Sequence, residues 1–122
     1  MKVPKTIDVC GIEHRVVFVS AKRMLKEAGT EAFGCVDKER CIIYLLSSLK
    51  AHPSLLRDVL IHEAVGHALL ENSGLAYWLQ VSVNLKGKKW FRWQETFVRF
   101  HTPMVIATLR SMGLLAKRKA HK

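Results

Sequence analysis

Apolar and polar positions along the chain first alternate as in strands and later recur as in helices. Residues 6–10 and 13–20 are predicted strands. The second holds Val16-Val17-Phe18-Val19, the β-branched and aromatic types that suit a pleated surface. Cys10-Gly11-Ile12 between them can turn, so the pair is expected to form a hairpin. Ser20 is placed to cap a helix over 21–28, and Gly29 to stop it. A second hairpin is expected where residues 32–36 and 40–46 flank Asp37-Lys38-Glu39, with Cys41-Ile42-Ile43-Tyr44-Leu45-Leu46 as the apolar return strand. A short connection over 47–52 then leads to Pro53, which suits a helix's first turn. That helix is predicted over 53–72, with Ser73-Gly74 as its end.

The helix over 53–72 lacks a wet face. At about 100° per residue, Leu55, Leu56, Val59, Leu60, Ile61, Val65, Ala68, Leu69 and Leu70 spread round most of its circumference. It is therefore expected at the centre, with sheet on one side and helix on the other. Residues 75–85 fit a short helix or an edge strand, and 86–89 form a basic loop. A long helix follows from Trp90 to about Met112, with Gly113 as its stop and Pro103 expected to kink or divide it. Its inward stripe reads Phe91, Glu95, Val98, Thr102, Val105, Leu109, Met112. The expected fold is one α+β domain over 1–122. A small antiparallel sheet would pack on the central helix and a long C-terminal helix, and 117–122 would form a disordered basic tail.

Composition changes this picture little. A chain of 122 residues can bury a real core. No apolar run approaches the roughly 20 residues of a membrane span, and no apolar segment follows the first lysines as in a signal peptide. A cytoplasmic protein with no membrane partner is expected. Cys10, Cys35 and Cys41 form no Cys-x-x-Cys pair. Cys35 and Cys41 could face each other across a hairpin, but reduced thiols fit the expected compartment better. The net charge of +10 permits attraction to nucleic acid or another acidic partner.

The candidate chemistry lies in Leu60-Ile61-His62-Glu63-Ala64-Val65-Gly66-His67-Ala68-Leu69-Leu70-Glu71. Two histidines and a glutamate in an apolar run need partners or a metal, because burying them unpaired costs several kcal/mol. The pattern is close to His-Glu-x-x-His, in which two ligands lie one turn apart and the glutamate serves as base. Here one more residue separates the histidines. On an ideal helix His62 and His67 would stand about 140° apart, too far to share an ion. A π-bulge absorbs the extra residue and restores the alignment, and Gly66 would ease the distortion. Glu63 is the candidate base. On an undistorted helix Glu63, His67 and Glu71 would instead share one stripe, with Glu63 as a ligand.

A catalytic zinc ion takes three protein ligands. The third could be Glu71 or, better placed, Glu95, which interrupts an apolar stripe. His14, His52, His101 and His121 have weaker contexts and are read as packing or surface residues. Trp78, Trp90, Phe91 and Trp93 are read as core and rim rather than as a base-stacking platform.

The run Leu56-Arg57-Asp58-Val59-Leu60-Ile61-His62-Glu63, with His67-Ala68-Leu69-Leu70 after it, resembles the active-site helix of small zinc metallopeptidases of the gluzincin type, many of them in phages and prophages. The resemblance spans 34–112. It implies a zincin-like fold in which His62, His67 and Glu95 hold zinc, and Glu63 serves as general base for a zinc-activated water that hydrolyses a peptide bond. Tyr44, on the strand that lines the cleft in such folds, would contact a protein or peptide substrate. His62-Glu63-Ala64-Val65-Gly66-His67 is also similar to the His-Glu-x-x-Gly-His signature of the much larger dipeptidyl peptidase III family, which uses the longer spacing. Two alternatives stay open: a metal-binding module without activity, and a nucleic-acid-associated binding module.

Overall fold

The computed structural model describes residues 2–72 and 74–113, without the side chains of 74 and 75. The tail expected at 117–122 and the helix stop expected at Ser73 lie outside the described residues. Strands β1 (Thr6–Val9) and β2 (Ile12–Val19) form the expected hairpin. Helix α1 (Ala21–Ala28) follows, with the Ser20 side chain accepting from the Arg23 N–H and Gly29 closing the helix at φ 76°. Strands β3 (Gly34–Asp37) and β4 (Ile42–Leu46) make the second hairpin.

The four strands form one sheet in the order β1-β2-β4-β3. The sheet is mixed, not antiparallel throughout as expected, because β2 and β4 run parallel. The reason lies in β4. Its Ile-Ile-Tyr-Leu-Leu run needs cover on both faces, and an interior strand has it. The chain therefore crosses over through α1, lays down β3 as the outer strand, and returns with β4 between β2 and β3. On one face Val19, Met24, Ile42 and Tyr44 pack beneath α1. On the other, Ile43 and Leu45 meet Leu49, Leu56, Leu60 and Ala64.

A 3-10 turn (Ser47–Ala51) leads into α2 (Pro53–Ile61). The chain continues without interruption through a π-helical segment (His62–Ala68) into α3 (Leu69–Asn72). The ambiguous stretch after it is a helix, α4 (Gly74–Ser82). The long helix α5 (Gly87–Ser111) runs through Pro103 without dividing, and Gly113 follows at φ 77°.

The inward stripe of α5 differs from the expected one. Trp90, Gln94, Val98, Thr102 and Ile106 are buried, whereas Phe91 and Met112 face outward. Gly66 helps to set how closely α5 approaches, at the two residues that both stripes share. A β-carbon on Gly66 would lie 2.5 Å from Val98 Cγ1 and 3.0 Å from Thr102 Oγ1. Its role in the fold is thus close approach of α5, beyond any easing of local distortion. Four side chains along α5 form a ladder of stacked rings. Trp90 lies on Trp93, Trp93 on Phe97, and Phe97 on His101, with centroids 5.5, 5.1 and 4.9 Å apart.

Candidate metal centre

The π-helical segment aligns the two histidines. A regular helix would point them apart, but the wider turn brings the His62 and His67 rings to 5.0 Å between centroids at an interplanar angle of 60°. One donor atom from each of His62, Glu63 and His67 lies within 4.8 Å of the others, so this group could hold a metal ion. Glu63 and His67 are buried, and His62 is half-buried. Burial holds His62 below its ordinary pKa, helped by the neighbouring His67. Burial, and then the charge on Glu95, raise Glu63 to about 8.

Glu95 reaches this group from α5, with Oε1 2.8 Å from His67 Nε2. It lies at the edge of the buried stripe rather than within it, its side chain 37% exposed. Glu71, the rival third ligand, turns elsewhere. It accepts from Trp90 Nε1 at 3.2 Å and from Gln94 Nε2, and Lys38 Nζ lies 3.6 Å from it.

These contacts orient the His67 ring. Gln94 spends its amide N–H on Glu71, so its Oε1 can only accept, and it lies 2.7 Å from His67 Nδ1. Nδ1 is therefore a donor, and Nε2 faces Glu95 Oε1 at 2.8 Å, a separation that needs a proton or a metal ion between the two atoms. The donor set, two imidazoles and carboxylates, with one imidazole oriented by a hydrogen-bonded amide, fits a divalent metal.

Gln94 did not stand out in the sequence. The available signal was a polar residue four positions from both Trp90 and Val98, once those two are known to be core. Replacing Gln94 with Leu is expected to weaken metal affinity about 10- to 100-fold, as loss of a ligand's outer partner does. Competition with a chelating dye measures this, and an unchanged affinity would mean that packing alone orients the ring.

His62, Glu63 and His67 line a cleft of about 940 Å³. One wall is β3, with Gly34, Cys35 and Val36. The other is α5, with Phe91, Glu95 and Arg99. A β-carbon on Gly34 would lie 3.0 Å from Glu63 Cγ and 3.1 Å from Val59 Cγ1, so this glycine lets the strand close over the carboxylate. Cys35 is pushed up to about 11, by burial and then by Glu63. The three cysteines are free.

Tyr44 is not in the cleft. β4 is an interior strand, and the Tyr44 side chain, 2% exposed, packs with Val19 and Met24 on the α1 side. The strand bordering the cleft is β3, not the apolar return strand β4 that carries Tyr44. His14 is a packing residue, fully buried, with Nδ1 2.9 Å from the Ile12 carbonyl and Nε2 3.2 Å from the Asn72 amide. His101 is exposed at the end of the aromatic ladder.

No family model, no curated protein and no solved structure matches this chain.

Proposed function

We propose that this chain is a zincin-like, zinc-dependent peptidase. The observation that carries the reading is the convergence of His62, Glu63 and His67 in a cleft, achieved through a π-helical turn. Such turns are uncommon and concentrate at functional sites. His62, His67 and Glu95 would hold the metal, and two imidazoles with a carboxylate suit zinc. A zinc ion there would supply Lewis acidity toward a water and toward the carbonyl under attack.

The chain's own residues supply the rest. Glu63 takes the proton of the attacking water and delivers it to the leaving amine. Gln94 holds the His67 ring in register. The outer edge of β3 has no strand partner among the described residues, and an extended peptide can pair with it along the cleft.

The test starts from protein stripped by a chelator. It should take up a single equivalent of zinc and, once loaded, cleave an unfolded protein such as casein. Failure to bind zinc, or cleavage that survives chelation, would overturn the reading. Zinc uptake without any cleavage would assign the site to a metal-binding module.

A further inference from the structure

Between Asn72 and Gln94 the sequence contains no Asp or Glu, but it contains Lys86, Lys88, Lys89 and Arg92. All four cations are exposed, and none makes an ion pair among the described residues. They follow α4, a helix without any charged residue. Ala76 and Leu79 turn α4 toward Trp90 and Trp93, and Leu85 joins the same cluster, which holds α4 and the start of α5 together; the loop expected over 86–89 is instead the N-cap and first turn of α5. The opposite face of α4 has no cover among the described residues. Tyr77, Trp78 and Val81 fall within an arc of about 100° there, and they are 72%, 55% and 61% exposed. Val83, just past the helix, is also exposed.

We propose that this face of α4, with the cations that follow it, docks peripherally on an anionic lipid surface. Tryptophan and tyrosine favour the headgroup level of a bilayer, where an apolar ring can sink and its polar edge stays wet. Unpaired lysines beside such a wedge find their counter-charges on acidic lipid headgroups. No helix among the described residues is long and apolar enough to cross a membrane, so the contact is interfacial.

Two other occupants fit less well. A second copy of the chain, docked through the same face about a two-fold axis, would bring two sets of unpaired cations together. A nucleic acid strand favours cations interleaved with open stacking rings, whereas Trp90, between the lysines and Arg92, is buried, leaving Phe91 as the exposed ring there, and the α4 wedge is uncharged and partly aliphatic. The inference does not depend on the metal site.

Sedimentation with vesicles tests it. The full chain should pellet with vesicles of phosphatidylcholine mixed with phosphatidylserine, remain in solution with phosphatidylcholine alone, and release as salt rises. Replacing Lys86, Lys88 and Lys89 together with Ala should lower partitioning on the order of 100-fold. The double variant Tyr77→Ser, Trp78→Ser should lower it at least about tenfold, with an unchanged far-UV spectrum because both residues are exposed. Three results would overturn the proposal. These are no sedimentation with the mixed vesicles, binding indifferent to Tyr77 and Trp78 and matched by duplex DNA, or a lipid-free dimer that Trp78→Ser dissociates.

Discussion

Glu63→Gln is expected to take up zinc as the parent does and to cleave peptides about 10²- to 10⁴-fold more slowly, the range lost with a general base. Glutamine keeps the shape that β3 closes over at Gly34. It lacks the oxygen charge that can accept a proton. Parallel zinc binding and casein cleavage measure the split. Undiminished cleavage would remove Glu63 from the reaction, and lost zinc binding would make it a ligand.

The same variant has a signature in the metal-free protein. Glu63 titrates near 8 in the fold, against 4.5 when unfolded. Between these values the folded state holds a proton that the unfolded state has released, so stability falls as pH rises and levels off above about 8. His62, held below its ordinary 6.5, acts on the acid side, where the folded state resists protonation and stability falls as pH drops. From about pH 6.5 to 8 the Glu63 slope should stand alone of the two. Urea unfolding of the metal-free protein should show it, and Glu63→Gln should flatten it. A bound cation favours the ionised carboxylate, so metal uptake should release protons and weaken the slope.

Local features of the fold were readable in the sequence because local chemistry sets them. The Ser20 cap, the Gly29 stop and both hairpin turns depend on neighbours within a few residues. The π-helical turn was readable for a different reason. His62 and His67 cannot share an ion without it, so the expected chemistry demanded the distortion. Strand order was only half readable, because the apolar run of β4 marks an interior strand but does not say that β2 is its second neighbour. Misplacing the cleft strand then misplaced Tyr44 as well. The slant of the buried stripe on α5 was hidden likewise. Both stripes pass through Val98 and Thr102, but the buried one steps by four throughout and so takes in Trp90 and Gln94 instead of Phe91 and Glu95, with α5 seated against Gly66 at Val98 and Thr102. Glu95 was singled out as an interruption of the inward stripe, whereas its side chain is 37% exposed at the edge of the cleft.

Gly66→Ala reports on that contact through the sign of its effect. In an ordinary helix interior the exchange stabilises by about 1 kcal/mol, because alanine loses less backbone freedom on folding. Here the added carbon would meet Val98 Cγ1 at 2.5 Å, and Val98 is fully buried. Valine has little rotamer freedom in a helix, so α5 must move instead. Overpacking of this kind costs about 1–3 kcal/mol, and the net change should be a loss. The displacement also carries Gln94 and Glu95 away from His67, so zinc affinity should fall with stability. Val98→Ala in the same chain makes room for the methyl group. The pair should therefore be less unstable than the sum of the two single changes, a coupling of about 1 kcal/mol or more in urea unfolding. A stabilised Gly66→Ala protein would mean that the two helices are not in contact at this position, and that the His67–Gln94–Glu95 arrangement does not depend on it.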